Sequence, residues 1–348
     1  MNSSFTLHPS SFHLGLIGYP LAHSLSPKIH TTALTACGLE GDYSLFPIAP
    51  DDKQGVKDLL NRVRSKNIHG LNVTVPHKQN VLEFLDELTP TAQSIGAVNT
   101  IYMRHDKLIG DNTDAAGFLV DLKRFVNMET GKHVDTEIST QVDKIALVLG
   151  AGGSARAVVF ALANDGWNVT IAARRIEQAQ KLVRSFPNYQ LPITNYTNLQ
   201  SLVSNLSLLV NTTPLGMTPN VEASPLPENT TLSPRAMVYD LVYNPRETKL
   251  VREARKQGLK AITGLGMLIE QAALSFEIWT GHNPPREILY AAVSNLQSLI
   301  LQSSNSLSPI TTYQLRSTHV ALPHRRRIPR TLTHHNLGWY ACWLIHYA

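Results

Sequence analysis

Cysteine is nearly absent: among 348 residues only Cys37 and Cys342 occur, far apart in the chain. Two distant thiols supply neither a disulfide framework nor a cysteine-based metal site, and they suit a reducing compartment, so the cytoplasm is the expected location. No run of 18 or more apolar residues exists, and residues 1–11 carry neither a basic start nor an apolar core, which argues against a membrane span and a secretory signal. His13, His23, His30, His69, His77 and His105 are scattered without ligand spacing, so no metal is expected. Residues 301–348 hold no acid at all, whereas Arg316, Arg325, Arg326, Arg327 and Arg330 give that stretch a formal charge of +5. Setting those 5 arginines aside leaves 26 basic against 26 acidic residues, so the basic pI of about 9.1 belongs to the tail. The short run 324–330 reads as a solvated tail, and neither a nucleic-acid nor a membrane partner is expected.

The length and a 43% hydrophobic content allow a large core and favour two domains. From Leu14 short apolar runs alternate with helical patterns, the mark of an α/β fold. Strands are predicted over 14–18, 43–48 and 70–75. Helices are predicted from Pro27 (with Ser26 as N-cap and Gly38 as stop), over 52–66 and over 77–88. Residues 98–103 and 107–109 should form a hairpin through Arg104-His105-Asp106, and 115–125 a helix able to bridge two lobes. The polar, aperiodic stretch 127–143 reads as a linker. A second series follows: strands over 144–149, 168–172, 206–210 and 236–241, helices over 155–164 and 177–185, then closing helices over 268–280 and from 285 to about 301. The expected division is an extra segment 1–12, a first α/β lobe 13–114, a second 115–263, helices 264–301 packing back on the first lobe, and a disordered tail 302–348 that function does not need.

Two motifs carry chemistry. Asn72-Val73-Thr74-Val75-Pro76-His77-Lys78 delivers a lysine just past an extended run, and Gly110-Asp111-Asn112-Thr113-Asp114 delivers an aspartate 36 positions later. Lys78 at a helix start, partly buried, would have its pKa lowered toward a useful range. It could then give a proton to a carbonyl oxygen and take it back, with Asp114 holding it. Taken alone, Lys78 could be a surface lysine and Asp114 an N-cap. The second motif, Gly150-Ala151-Gly152-Gly153-Ser154-Ala155, follows a strand and opens an apolar helix, so its glycines can admit a pyrophosphate to the helix N-terminus. About 20 residues on, where an acid would read a ribose 2'-hydroxyl, stand Ala173, Arg174 and Arg175, which favours NADP over NAD. Glu177 reads as an ordinary first-turn helix acid.

The two motifs combine with Ser24-Leu25-Ser26-Pro27, Gly96-Ala97-Val98-Asn99-Thr100, Asn211-Thr212-Thr213-Pro214-Leu215-Gly216-Met217, Asp240-Leu241-Val242-Tyr243-Asn244-Pro245 and Gly264-Leu265-Gly266-Met267-Leu268-Ile269-Glu270-Gln271. In that order, across about residues 14–296, the chain resembles the shikimate dehydrogenase family of aromatic amino-acid and chorismate biosynthesis. The resemblance implies a two-lobe α/β enzyme, with an N-terminal α/β substrate-binding domain and a Rossmann-type NADP-binding domain. It implies reversible NADPH-dependent reduction of 3-dehydroshikimate to shikimate in the cleft between them. Lys78 and Asp114 would be catalytic. Ser24 and Ser26 would bind the substrate carboxylate, with Thr74, Asn99, Tyr243 and Gln271 holding the rest of the molecule. Gly150, Ala151, Gly152, Gly153, Ser154, Arg174, Arg175, Leu241, Gly264 and Met267 would line the cofactor. Ser26 could instead merely cap, Tyr243 be a turn aromatic and Asn99 tie the hairpin.

This chain departs from the family pattern at Ala173-Arg174-Arg175, where Asn-Arg-Thr is usual, at Gln178, where a further arginine is expected, and at Ala115 and Ala116. Use of quinate or of NAD therefore stays open as an alternative, although Ser26 favours shikimate. A non-catalytic sensor of shikimate-type ligands is a further alternative, disfavoured because both Lys78 and Asp114 are retained. The assembly state is open, a homodimer being one candidate.

Overall fold

The computed structural model of the chain describes residues 9–127, 144–196 and 199–294. The expected linker 127–143 lies almost wholly outside that set. So do the tail 302–348, the end of the last predicted helix and residues 1–8 of the expected extra segment.

A first sheet has the order β2-β1-β3-β5-β6-β4. It is built from β1 (Phe12–Gly18), β2 (Gly41–Pro47), β3 (Gly70–Val73), β4 (Glu87–Leu88), β5 (Thr100–Arg104) and β6 (Lys107–Asp111), with α1 (Ser26–Ala36), α2 (Lys53–Arg64) and α3 (Pro90–Ile95) between them. β1 starts two residues before the predicted strand, because Phe12 is in the core and pairs with Gly41. β1 is parallel to β2 and β3, and its residues are buried almost throughout, as a strand covered on both faces requires. The expected hairpin forms between β5 and β6. His105 and Asp106 take φ of 47° and 59°, the left-handed pair that a two-residue turn of this hand needs.

Two local expectations fail. Ser26 is not the cap of α1: Leu25 stands at that position with no side-chain cap, and the Ser26 N–H donates to Ser24 Oγ at 3.2 Å. Nor does 77–88 form an α-helix. Residues 75–79 turn, Asn80–Phe84 is a 3-10 helix, and the chain then straightens into β4. Hydrogen bonding to β6 outweighs the helical apolar spacing. Asp86 N donates to Leu108 O, Leu108 N donates to the Asp86 carboxylate, and Arg64 grips that carboxylate through both terminal nitrogens.

The second sheet is entirely parallel, in the order β12-β11-β10-β7-β8-β9. Its strands are β7 (Ile145–Leu149), β8 (Asn168–Ala172), β9 (Ile193–Thr194), β10 (Leu208–Asn211), β11 (Met237–Asp240) and β12 (Lys260–Thr263). Read from β9 this is the 3-2-1-4-5-6 order of a doubly wound dinucleotide-binding sheet, with its switch point between β7 and β10. Helices α5 (Gly153–Asn164), α6 (Ile176–Arg184), α7 (Leu199–Val203) and α8 (Lys249–Lys256) make four of the five connections, and residues 212–236 join β10 to β11 without a helix. α8 and β12 go beyond the elements expected from the sequence, although Thr248 marks the helix start by accepting from Val251 N.

Helix α4 (Asp114–Asn127) joins the two sheets and packs against both α5 and α9 (Leu265–Thr280). α9 and α10 (Arg286–Val293) return to the first lobe: Ile269, Phe276, Leu289 and Val293 share a core with Phe12, Leu14 and Ile29.

Candidate active site

The carboxyl ends of the second sheet and the loops after β1 and β3 enclose a cleft of about 370 Å³. Its position follows from topology, because connections leaving both sides of a switch point diverge and open a crevice there.

Lys78 enters the cleft from the turn after β3. His77 anchors that turn through Nε2 to Ile48 O at 2.7 Å, and Val98 N donates to Lys78 O at 2.8 Å. The lysine stands ahead of a 3-10 helix rather than at an α-helix N-terminus, so no α-helix dipole acts on it from its own segment, contrary to expectation. Its Nζ donates to Asp114 Oδ2 at 2.5 Å, and both side chains are buried. Asp114 opens α4, but it is not the cap. Asn112 Oδ1 accepts from Ala115 N, while the second Asp114 oxygen accepts from Asn99 Nδ2 at 2.9 Å. The carboxylate is thus held by two side chains of the first lobe.

Asn99 does more than tie the hairpin. Its Nδ2 also reaches Thr113 Oγ1 and Gln271 Oε1, and its Oδ1 accepts from Thr113 N and Thr100 Oγ1. Gln271 is turned toward this group by donating to Leu268 O at 2.8 Å. Lys78, Asp114, Asn99 and Gln271 therefore form one buried polar wall, with Ser24, Ser26, Thr74 and Tyr243 on the same cleft. Burial pushes the Tyr243 phenol up, which keeps it a neutral hydroxyl. Three further cleft residues, Asn72, Thr212 and Thr213, are not singled out by the sequence. Asn72 accepts from Tyr43 OH and donates to Asn99 O and Ser275 Oγ. All three lie inside the motif blocks, where only neighbouring positions carry an expected role.

The cofactor residues divide. Ser154, Leu241, Gly264 and Met267 line the cleft, whereas Gly150, Ala151, Gly152, Gly153, Arg174 and Arg175 do not. Gly150 needs its φ of +111°, and a Cβ there would meet Thr212 Oγ1 at 2.6 Å. A Cβ on Gly152 would meet nothing within 4 Å, so at that position the turn faces open space. α5 begins there without a side-chain cap, leaving first-turn amides for an anion. Arg174 and Arg175 are exposed just past β8, and among the described residues neither side chain makes a hydrogen bond or ion pair, while the Arg175 carbonyl accepts from Gln178 N and Ala179 N at the start of α6. Glu177 takes its expected place in the first turn of α6. An uncapped helix start beside open space, with two uncommitted guanidiniums one strand away, fits a dinucleotide carrying an extra phosphate.

Beneath the cleft Asp240 accepts from Asn211 Nδ2, Thr248 Oγ1 and Val242 N, and burial lifts its carboxyl to about 6. Asn211 in turn accepts from Thr213 N and Oγ1, so this pair fixes the loops after β10 and β11. No metal-ligand cluster and no helix long and apolar enough to cross a membrane occur among the described residues.

Comparison with known proteins agrees with this architecture along the chain. The family described as shikimate dehydrogenase substrate binding domain matches residues 16–101, shikimate / quinate 5-dehydrogenase matches 133–265, and shikimate 5'-dehydrogenase C-terminal domain matches 264–293. The shikimate dehydrogenase (NADP(+)) of Methanococcus maripaludis strain C7 is 40% identical over 285 residues, which cover 81% of this chain and 96% of that protein. The Bacillus subtilis strain 168 protein of the same name is 37% identical over 281 residues, 80% of this chain and 95% of its own. Shikimate 5-dehydrogenase from Thermus thermophilus, solved in complex with NADP(H) and shikimate, has a TM-score of 0.68 at 37% identity, covering 81% of this chain and 98% of that one. With similarity running through both sheets and the returning helices, the chain belongs to the shikimate dehydrogenase family.

Proposed function

We propose that this protein is an NADP-dependent shikimate dehydrogenase, reducing 3-dehydroshikimate reversibly to shikimate. The observation that carries the reading is the buried Lys78–Asp114 pair at 2.5 Å, in a cleft at the carboxyl ends of a dinucleotide-binding sheet. Family membership and the relatives' names support the same reaction. We take residues 13–114 as the substrate domain, 115–263 as the cofactor domain and 264–301, of which 264–294 are described, as the segment returning to the first. The two separate sheets support that division. The chain's two cysteines suit the cytoplasm.

NADPH supplies the hydride when it is bound, and the chain's residues manage the proton and the substrate. An ammonium has three N–H bonds, and among the described residues Lys78 spends one on Asp114. Another can point at the carbonyl of the substrate. As the carbon accepts hydride, the oxygen gains charge and takes the proton from Nζ, giving the alcohol; in the oxidative direction Nζ accepts that proton. Asp114 restrains Nζ and offsets its charge, while Asn99 restrains Asp114. Ser24, Ser26, Thr74, Tyr243 and Gln271 offer neutral hydroxyl and amide groups, which suit a polyhydroxylated acid because each fixes one oxygen without adding charge.

The first test is nicotinamide absorbance with shikimate or quinate against NADP or NAD. Turnover restricted to shikimate with NADP supports the full reading. Turnover of quinate or with NAD would broaden it, and silence in all four pairs with retained binding would favour a ligand sensor.

A further inference from the structure

Arg156 lies one turn beyond Gly153 on α5, and the two share a face turned toward the first lobe. A Cβ on Gly153 would lie 3.0 Å from Lys78 Cβ, so the glycine lets the lysine's segment pack against the helix start. Arg156 makes the second contact on that face. Its side chain is buried, 7% exposed, yet among the described residues no carboxylate pairs with it. Nη1 donates instead to Ile95 O at 3.1 Å and to Ser185 Oγ at 2.9 Å, Nη2 reaches Lys181 O at 3.5 Å, and Nε has no partner among the described residues. A buried cation without an anion is costly, and here carbonyl and hydroxyl oxygens at the ends of α3 and α6 offset its charge. Such an arrangement is sensitive to how closely those ends approach.

Ile95 closes α3 in the first lobe, and Gly96 follows in the left-handed region at φ 67°. A Cβ on Gly96 would stand 2.9 Å from Nη1, so the guanidinium fits against bare backbone. From Gly96 the chain passes directly into the wall of the cleft. Ala97 O accepts from Asn112 Nδ2, Val98 N donates to Lys78 O, and Asn99 holds Asp114. Arg156 therefore touches, on one side, the segment that sets the proton-transfer pair. On the other side it rides the helix that begins with the turn at 150–154.

We propose that Arg156 is a positioning residue that latches α5 to the end of α3, so that cofactor binding at the 150–154 turn is transmitted to the geometry of Lys78, Asn99 and Asp114. The proposal rests on the functional reading above. Arg156 touches neither substrate nor reacting atoms, and its effect would pass through Gly96–Asn99.

The test uses the full chain with Arg156→Met, which keeps length without charge, and Arg156→Lys, which keeps charge. Shikimate affinity is measured by calorimetry with and without saturating NADPH, a pair that cannot react because both partners are reduced. Amide exchange of residues 92–99 is followed in the same samples. In the parent, NADPH should tighten shikimate binding by about tenfold, within the usual range of such couplings, and slow exchange at 92–99. In Arg156→Met both effects should vanish and kcat should fall with the KM for NADP unchanged, while Arg156→Lys should recover part of the coupling. Coupling and exchange that persist in Arg156→Met, with only a lower melting temperature, would overturn the proposal. If the parent neither binds nor turns over shikimate, the functional reading fails instead, and the NADPH-dependent exchange at 92–99 alone decides the role of Arg156.

Discussion

Gly266 passes so close to Asp121 that a Cβ at position 266 would lie 1.9 Å from a carboxylate oxygen. That carboxylate also accepts from Tyr239 OH at 2.5 Å, and burial pushes its pKa up. One buried group thus ties α4, β11 and the first turn of α9, the helix that carries Met267 and Gln271. Gly266→Ala must push the carboxylate aside or displace α9, at a cost of about 1–3 kcal/mol. Urea unfolding should show that loss together with a raised KM for shikimate. Parent-like values for both would show that the crowding at 266 is relieved without consequence.

Replacing Lys78 by Met removes the proton donor but keeps the stem that packs on Gly153. Turnover should fall by about 10²-fold to 10⁴-fold, the usual contribution of general acid-base catalysis. NADP affinity, read by fluorescence titration, should survive. Equal loss of cofactor affinity would mean that the lysine acts structurally.

The side chains of Arg174 and Arg175 stand exposed and, among the described residues, uncommitted, and the proposed NADP reading assigns them to the 2'-phosphate. Changing both to Ser should raise the KM for NADP by about 10-fold to 100-fold, the worth of one or two charge-assisted hydrogen bonds. The KM for NAD should hardly move. An equal effect on both cofactors would remove these arginines from phosphate recognition.

His30 is fully buried between Tyr43, with ring centroids 4.4 Å apart, and Trp279 at 5.4 Å. Among the described residues neither ring nitrogen has a hydrogen bond of good geometry; Asn72 lies close enough to oppose the effect of burial in part, but its own bonds go to Tyr43, Asn99 and Ser275. Burial lowers its pKa from 6.5 to about 3. The unfolded chain therefore binds a proton more readily than the folded one, and stability present above pH 6.5 is lost as pH falls toward 3. His30→Phe should shift the acid-unfolding midpoint, followed by circular dichroism, to lower pH. An unmoved midpoint would exclude His30 as the acid-labile group.

Asp240 acts in the opposite direction. Burial raises its carboxyl from 3.8 to about 6, so the folded state holds the proton more tightly and stability declines as pH rises between those values. Asp240→Asn should flatten that part of the stability profile, measured by urea unfolding at about pH 4 and about pH 6, the two ends of that window. An unchanged slope would reassign it to other groups.

Much of this is legible from residue order. The glycines of the 150–154 turn, the 168–172 strand, the hairpin and the closing helices are local signals, since backbone freedom and periodicity act over a few residues. The Lys78 and Asp114 motifs are visible for the same reason. The helix expected at 77–88 fails because its spacing is local while the bonds of Asp86 to Leu108 and Arg64 are not. Ser26 does not cap α1 because the helix begins one residue earlier than its hydroxyl would set it: Leu25 holds the cap position and its carbonyl accepts from Ile29 N.

By itself the sequence determined which groups the protein can bring to a reaction: one lysine and one aspartate in distinctive settings, a phosphate-admitting turn, and two arginines in place of an acid. Only the tertiary structure decided that Lys78 and Asp114 meet at 2.5 Å, that Asn99 and Gln271 brace them, and that Arg156 is buried with no carboxylate beside it among the described residues. The physical reason is range. Turn and helix preferences act between neighbours, whereas a buried ion pair or an unpaired guanidinium exists only after packing has removed water from residues far apart in the chain.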